Sequence, residues 1–404
     1  MRVLIEGTGG AAGWPEPGCR CASCLGQVMD GSLRKRSTIV VDGVVRLGAG
    51  DAGAGSAGAG SAGAGSAGAG SAGAGSGGAG SAEDEELPGG YLVRRLADAR
   101  DPGRTGGWDV TTPDGGRLLY PAGPGAMAEP AEGARRYDIV FLDLLGEPAQ
   151  LGLLRARGLV TVDTITMVAF ADHRVPSEPE LWRRCGFWRA EVPRDGDTVT
   201  TNRSEEKGDL AGTTRRLPWR VLVLGGARSG KSERAELRLA GEPDVTYVAT
   251  GPAARDGESG PADAEWAARV AAHRARRPAW WRTAETSDLA GVLAAAGGAE
   301  GAPGALLIDG IGTWLAAVLD ECGGWQGSAG SAARVAASIA GLVVAWRQTQ
   351  AYVVAVSDEA GLGVVPATPA GRLFRDELGR LNQVLAAESE ETELVVAGRI
   401  FPLV

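Results

Sequence analysis

The sequence predicts an α/β protein with two domains, in which the C-terminal domain has a mainly parallel sheet covered by helices on both faces. After residue 217, apolar runs of strand length alternate with segments of helical periodicity. The runs are almost continuously apolar, as in strands that are buried on both faces. A glycine-rich stretch joins the first run to the first helix. The chain of 404 residues is long enough for two domains, each with its own core.

Each element of the C-terminal domain follows from this alternation. Strands are predicted at 220–224, 245–249, 305–308, 352–356 and 393–396, and helices at 233–239, 263–276, 314–321, 332–347 and 371–388. In an open parallel sheet, ligands bind beyond the carboxyl ends of the strands. We therefore expect the functional residues of this domain at those ends.

The glycine-rich stretch matches the pattern G-x-x-x-x-G-K-[ST] at every fixed position and lies between a predicted strand and a predicted helix. Such a loop points its backbone N–H groups at phosphate oxygens, while the lysine reaches the β- and γ-phosphates and the hydroxyl holds magnesium. Lys231 is one of only three lysines in a chain whose positive charge is mostly arginine. The predicted nucleotide-binding loop is Gly225, Gly226, Ala227, Arg228, Ser229, Gly230, Lys231 and Ser232.

Two further residues have the character of a phosphate-transfer site. Asp309 directly follows the predicted strand 305–308, where a Walker-B carboxylate coordinates magnesium; the alternative is a turn aspartate. His273 lies four residues from Arg269 and from Arg277, so on one helix the arginines would flank the imidazole and favour its neutral form. The alternative for His273 is a solvent-exposed histidine in a basic helix.

Composition excludes several classes of function. The formal charge of −9 and the pI of about 5.1 argue against a nucleic-acid-binding surface. No apolar run has the length of a membrane span, and the first residues lack the apolar core of a signal peptide, so we expect a cytoplasmic protein without a membrane span.

Cys19, Cys21 and Cys24 have metal-like spacing and can offer three thiolates to one zinc, although reduced surface cysteines have the same pattern.

The domain boundaries follow from changes in composition. Residues 1–48 and 91–201 form the predicted N-terminal domain, with strands at 2–7, 137–142 and 164–170 and a hairpin formed by 108–112 and 117–120. Residues 49–90 contain a Gly/Ala/Ser repeat with a period of five and are predicted to be a disordered insertion. Residues 202–216 are polar and aperiodic and are predicted to be a linker to the domain at 217–404.

The motifs GTGGAAGWPEPGCRCASC, YDIVFLDLLG and ADHRVP resemble the N-terminal region of metallo-β-lactamase-fold phosphodiesterases. The resemblance implies an incomplete α/β sandwich. The H-x-H-x-D-H motif that supplies most catalytic metal ligands in that family is missing, and Phe170 stands where a metal-binding histidine is expected, so Asp143 is left as an isolated ligand. The resemblance also implies a structural zinc held by Cys19, Cys21, Cys24 and His173. The role of the domain stays open.

The segments GGARSGKS, YVAT, HRARRPAWWRTAE, LLIDGIGTWL and EAGLGVVPATPAGRLFRDELGRLNQVLA together resemble the bifunctional adenosylcobinamide kinase/adenosylcobinamide-phosphate guanylyltransferase family of cobalamin biosynthesis. The resemblance implies phosphorylation of adenosylcobinamide by ATP or GTP with magnesium, then GMP transfer from GTP to adenosylcobinamide phosphate, with His273 as nucleophile. It also implies a homo-oligomer. Beyond the loop, the implied nucleotide contacts are Ala249, Thr250, Gly251, Arg274, Ala275, Arg276, Arg277, Glu285 and Asp309.

The sequence departs from that family at two places near the predicted site. Asp358 stands where relatives often carry asparagine, and Gly310-Ile311-Gly312 replaces a more usual cysteine-leucine-threonine. Two other classes of function remain compatible with the motifs. One is a P-loop small-molecule kinase without guanylyltransferase activity, and the other is a nucleotide-binding scaffold protein.

Overall fold

In a computed structural model, the chain divides into two compact units, Met1–Thr213 and Thr214–Val404. The structure describes residues 1–49, 84–201, 218–250, 271, 274–296 and 304–403. Most of the predicted insertion, the predicted linker and most of the predicted helix 263–276 lie outside the described residues. None of the described helices combines the length and the apolar composition that crossing a membrane requires.

The N-terminal unit has two sheets and three helices in its described part. Its elements are β1 (Arg2–Gly7), α1 (Ala22–Asp30), β2 (Thr38–Val41), β3 (Val45–Gly48), β4 (Asp84–Leu87), β5 (Tyr91–Ala97), β6 (Thr105–Thr111), β7 (Arg117–Pro121), β8 (Ile139–Leu142), α2 (Ala149–Ala156), β9 (Ile165–Val168), α3 (Glu178–Phe187) and β10 (Thr198–Thr200). The strand orders are β10-β1-β2-β3 and β4-β5-β6-β7-β8-β9.

The predicted hairpin in this unit is confirmed, because β6 and β7 pair antiparallel. The predicted start of the second part of the domain is corrected. Asp84–Leu87 pairs antiparallel with β5, so regular structure begins inside the segment that was expected to be a disordered insertion. The repeat itself ends just before this acidic strand.

The two sheets of the N-terminal unit pack face to face. Val3 and Ile5 of β1 belong to the same buried cluster as Val110 of β6 and Leu118 of β7. Alternate residues of β1 are buried, which is the pattern of a strand with one face on a core. The unit is therefore the α/β sandwich that the resemblance implied.

Asp143, the isolated ligand of the resemblance, is fully buried and is paired with an arginine. Arg174 donates to both Asp143 carboxylate oxygens at 2.7 and 2.8 Å, and the backbone N–H of Gly125 donates at 2.7 Å. Arg174 also bonds Asp172 at 2.8 Å. Burial lowers the pKa of Arg174, but hydrogen bonds and charges of the two carboxylates outweigh it and raise that pKa overall. A guanidinium thus neutralises the buried carboxylate.

Replacing Arg174 with methionine should destabilise the N-terminal unit by about 3–5 kcal/mol, because Asp143 would remain buried without a counter-ion. The double variant Asp143→Asn/Arg174→Met should recover most of this loss, since the amide oxygen can still accept from Gly125. Thermal unfolding followed by calorimetry measures the effect. Arg46→Met, which removes an exposed arginine that pairs with Glu6, is the control and should change little. Equal unfolding temperatures for Arg174→Met and Arg46→Met would contradict the interpretation.

The C-terminal unit contains one seven-stranded sheet in its described part. Its elements are β11 (Trp219–Gly225), α4 (Lys231–Leu239), β12 (Val245–Ala249), β13 (Arg282–Glu285), α5 (Leu289–Ala295), β14 (Ala305–Asp309), α6 (Ile311–Glu321), α7 (Ser331–Gln348), β15 (Tyr352–Asp358), a 3₁₀ turn (Ala360–Leu362), α8 (Pro369–Ala387), β16 (Glu391–Val396) and β17 (Arg399–Leu403). The strand order is β13-β12-β14-β15-β11-β16-β17.

The predicted mainly parallel sheet is confirmed, since every pair in it is parallel except β16 with β17. Leu222 and Leu224 of β11 pack in one buried cluster, whereas Val221 and Val223 pack in a second cluster. Because successive side chains of a strand point to opposite faces, both faces of β11 are covered. The sequence analysis did not predict β13, α5 or β17, which are short and, in the case of β13, polar.

Buried ion pairs fix helix α4 against the sheet. Arg234 donates to both oxygens of Glu393 on β16 at 2.7 and 2.9 Å, and Arg238 donates to Glu393 at 2.9 Å. All three residues are at most 5% exposed. Removing one partner of such a network leaves an uncompensated buried charge, so the orientation of α4 is strongly determined.

Candidate nucleotide site and metal centre

The register of the parallel strands brings the predicted site residues to one edge of the C-terminal sheet. Asp309, the last residue of β14, lies beside Ala249, the last residue of β12. Ala249 lies beside Glu285, which ends β13. On the other side, Gly225 at the end of β11 lies beside Asp358 at the end of β15. Residues that are far apart in sequence therefore line the carboxyl edge of the sheet, where ligands bind.

The loop between β11 and α4 has the shape that the glycine pattern predicts. A Cβ at Gly225 would lie 2.5 Å from Ser229 Oγ and 2.7 Å from the carbonyl oxygen of Val395, so only glycine fits. Gly230 precedes α4 with φ +96°, and no side chain caps the helix N-terminus. The first N–H groups of α4 are thus left for another acceptor, and the helix dipole favours an anion there.

Lys231 is held inside the loop by two acceptors. Its ammonium donates to the carbonyl oxygen of Gly226 at 3.1 Å and forms an ion pair with Asp358 Oδ1 at 2.9 Å. The lysine side chain is 8% exposed, whereas that of Asp358 is 49% exposed. Asp358, to which the sequence analysis assigned no role, is therefore the counter-ion of the loop lysine.

Each carboxylate oxygen of Asp309 accepts a hydrogen bond from a hydroxyl group. Ser232 Oγ lies 3.3 Å from Oδ1, and the phenol of Tyr247 donates to Oδ2 at 2.6 Å. Burial, with the adjacent Asp309 charge, raises the pKa of Tyr247, so the phenol stays protonated as a donor. A serine hydroxyl beside a carboxylate is a hard oxygen donor set of the kind that magnesium prefers. The residues predicted to hold magnesium thus lie together and fit that ion.

Thr250 connects the ends of β12 and β14. Its hydroxyl bonds the carbonyl oxygen of Gly310 and the hydroxyl of Thr313, each at 2.6 Å. Gly310 has φ +112°, and a Cβ there would lie 2.2 Å from Thr313 Oγ1. The glycine that departs from the resembled family is thus required by the backbone of this turn.

Three of the predicted basic residues extend from the end of a helix toward the sheet. Arg276 donates to Glu236 of α4 at 2.9 Å, and Arg274 lies 3.4 Å from Glu285. The guanidinium of Arg277 lies 3.6 Å from the ring centroid of Tyr247. Helical structure ends at residue 276, which is the predicted end of this helix, with Ala275 inside it and Arg277 one residue beyond it. His273 and Gly251 lie outside the described residues.

Sequence reasoning did not assign two residues of this site. Tyr247 bonds Asp309 from a neighbouring strand, and Asp358 pairs with Lys231. The signal for Asp358 was its place two residues after the predicted apolar strand 352–356. No local signal marked Tyr247, because its role depends on the register between β12 and β14.

The N-terminal unit places four potential metal ligands together. One ligand atom from each of Cys19, Cys21, Cys24 and His173 lies within 4.8 Å of all the others. Cys24 Sγ is 3.7 Å from His173 Nδ1, close to the spacing of about 3.5 Å that tetrahedral zinc imposes on sulfur and nitrogen ligands. Cys21 is the N-cap of α1, and its sulfur accepts the backbone N–H of Cys24 at 3.4 Å.

The thiols of Cys21 and Cys24 have different surroundings. The backbone N–H of Cys24 and other hydrogen bonds lower the pKa of Cys21, whereas burial raises the pKa of Cys24 to about 11. His173 Nδ1 also lies 3.1 Å from Glu16 Oε2. Ser23, between the two thiols, bonds the carbonyl oxygen of Val175 at 2.7 Å and thereby ties α1 to the segment that carries the histidine.

The structure of Zn(2+)-bound PqqB from Methylobacterium extorquens aligns over 50% of this chain and 100% of that chain, at 13% identity and a TM-score of 0.31. A family model described as cobinamide kinase / cobinamide phosphate guanyltransferase matches residues 221–403.

Curated relatives match the same part of the chain. The bifunctional adenosylcobalamin biosynthesis protein CobU of Salmonella typhimurium is 40% identical over 44% of this chain and 96% of its own length. The protein of the same name from Escherichia coli is 38% identical over 44% and 96%, and CobP of Pseudomonas aeruginosa is 42% identical over 46% and 96%. Through its C-terminal unit, the chain belongs to the cobinamide kinase / cobinamide phosphate guanyltransferase family.

Proposed function

We propose that the chain phosphorylates adenosylcobinamide with ATP or GTP and then transfers GMP from GTP to adenosylcobinamide phosphate. The observation that carries the proposal is the convergence, at one sheet edge of a unit that belongs to this family, of the loop lysine, the Ser232–Asp309 pair and the arginines that follow His273. Relatives that match over 96% of their own length are named as bifunctional enzymes of adenosylcobalamin biosynthesis.

In the kinase reaction, the oxygen of the substrate hydroxyl attacks the γ-phosphorus, its proton passes to water, and the bond from that phosphorus to the β,γ-bridging oxygen breaks. The backbone N–H groups of the loop and of α4 hold the phosphates, and Lys231 exchanges its contact with Asp358 for the β- and γ-phosphate oxygens. Ser232 and Asp309 would hold magnesium, which when bound neutralises charge on the phosphates. Catalysis here is mainly positioning and electrostatic stabilisation.

In the guanylyl transfer, an imidazole nitrogen of His273 attacks the α-phosphorus of GTP. The bond to the α,β-bridging oxygen breaks and pyrophosphate leaves, so GMP is bound to the histidine. A phosphate oxygen of adenosylcobinamide phosphate then attacks the same phosphorus, and the phosphorus–nitrogen bond breaks to give adenosylcobinamide-GDP. The arginines at 274, 276 and 277 supply positive charge next to this histidine in the sequence.

Two labels test the proposal in the wild-type chain. With magnesium, label from γ-labelled ATP or GTP should appear in phosphorylated adenosylcobinamide, and label from α-labelled GTP should first stay on the protein in an acid-labile form. A chain that makes the first product but never retains α-label is a small-molecule kinase. A chain that binds nucleotide and makes neither product is a nucleotide-binding protein, and the proposed function fails.

We also propose that the N-terminal unit binds one structural zinc through Cys19, Cys21, Cys24 and His173. Three sulfurs and one imidazole nitrogen are a complete tetrahedral set, which is typical of structural rather than catalytic zinc sites. The support is the proximity of the four ligand atoms and the connection of both ligand segments through Ser23. Bound zinc would link α1 to the segment around residue 173 and stabilise the unit.

Cys24→Ser should lower the zinc content of the purified full-length chain from about one equivalent to well below half, because serine is a poor zinc ligand. Elemental analysis of freshly purified protein measures this. Cys322→Ser, which removes a cysteine of the C-terminal unit, is the matched control and should keep its zinc. Wild-type protein that holds less than half an equivalent of zinc would refute the assignment.

A further inference from the structure

Tyr247 contacts both the carboxylate of Asp309 and the segment that follows His273. It is in the middle of β12, directly beside Leu307 of β14, so Asp309 lies two residues farther along the neighbouring strand and on the same face of the sheet. The phenol crosses to that strand and donates to Asp309 Oδ2 at 2.6 Å. Ser232 Oγ lies 3.3 Å from the other oxygen, so the two hydroxyls fix the plane of the carboxylate.

The ring of Tyr247 packs against the segment that follows His273. The guanidinium of Arg277 lies over the ring at 3.6 Å from its centroid, which is within the distance of a favourable cation–π contact. One residue earlier, Arg276 bonds Glu236 on α4, the helix that begins with the loop lysine. The tyrosine is 7% exposed, so water does not compete strongly for either contact.

We propose that Tyr247 is a positioning residue that sets the Asp309 carboxylate for the divalent metal and connects it to the segment at 274–277. The inference rests on the proposed function and deepens it. A side chain that orients a metal ligand acts through that ligand, and such outer partners often matter nearly as much as the ligands. The contacts connect the metal-binding carboxylate of the kinase step with the segment next to the guanylylated histidine. Both reactions thus share one positioned carboxylate.

The variant Tyr247→Phe separates this role from general packing. It keeps the ring and therefore the contact with Arg277, and it removes only the hydroxyl that bonds Asp309. We expect the affinity for Mn²⁺, measured by electron paramagnetic resonance in the complex with a non-hydrolysable GTP analogue, to fall about 10-fold to 100-fold. Binding of the same analogue without metal should stay at the wild-type value. Both product-forming reactions should need correspondingly more magnesium.

Tyr137→Phe is the matched control. Tyr137 is another buried tyrosine whose phenol donates to an aspartate, Asp109, at 3.0 Å, but it lies in the N-terminal unit. This control should keep wild-type metal affinity. Unchanged Mn²⁺ affinity in Tyr247→Phe overturns the inference, and so does an equal loss of metal-free nucleotide binding, which would indicate a merely structural tyrosine. If the wild-type chain binds metal and nucleotide but makes neither product, the proposed function is refuted. The Mn²⁺ affinity of Tyr247→Phe still decides whether Tyr247 positions Asp309.

Discussion

Replacing His273 with alanine should abolish covalent labelling of the protein by α-labelled GTP. Alanine has no nitrogen to attack the α-phosphorus, so the guanylylated intermediate cannot form. The synthesis of adenosylcobinamide-GDP should fall to background for the same reason. Phosphorylation of adenosylcobinamide should continue near the wild-type rate, because the loop, Lys231 and Asp309 do not depend on an imidazole.

The measurement is acid-labile label per chain, with the kinase rate recorded on the same preparation. Arg282→Ala is a suitable control, since it removes an exposed arginine of β13 that pairs with Asp244 at 2.7 Å. That control should label as the wild type does. Label that persists in His273→Ala would place the nucleophile elsewhere and defeat the guanylyl-histidine mechanism.

Replacing Lys231 with methionine should lower kcat/KM for the kinase reaction by about 10²–10³-fold, the range found when one group that stabilises the charge of a transition state is removed. Methionine fills a similar volume but offers no donor to the phosphates, and Asp358 would then face the triphosphate without its counter-ion. The loss should appear in kcat as well as in KM, because the transferring group carries its charge through the transition state.

Steady-state kinetics with saturating magnesium measures the effect. Lys35→Met, which removes an exposed lysine of the N-terminal unit, is the control and should leave the kinase rate unchanged. A Lys231→Met variant whose kcat equals that of the wild type would show that the loop only binds nucleotide and that another cation stabilises the transfer.

The parts of the C-terminal unit that follow from short-range pattern were predicted well. The strand Val245–Ala249 has the predicted bounds, and β11, β14 and β15 extend the predicted strands by one or two residues. Continuous apolar runs carry this information locally. By contrast, the bond between Tyr247 and Asp309 joins residues 62 apart. It depends on strand order and register, which no local pattern encodes.

In the N-terminal unit too, local patterns were predicted from the sequence, whereas contacts between distant residues were not. The spacing of Cys19, Cys21 and Cys24 indicated a metal site, but the fourth ligand came from a resemblance, because His173 is 149 residues from Cys24. The pairing of Arg174 with Asp143 was not predicted. Residues 31 apart meet there because β8 and β9 pair in parallel, so the segments that follow them leave the same edge of the sheet.

The phosphate loop is closed by a hairpin that lies far beyond it in the sequence. The backbone N–H of Gly398, in the turn between β16 and β17, donates to the carbonyl oxygen of Ser229 at 2.8 Å. The carbonyl oxygen of Val395 forms the wall beside Gly225. During synthesis, the loop leaves the ribosome long before this hairpin does. The loop therefore gains these two contacts only after residues 391–403 have been translated and β16 and β17 have joined the sheet.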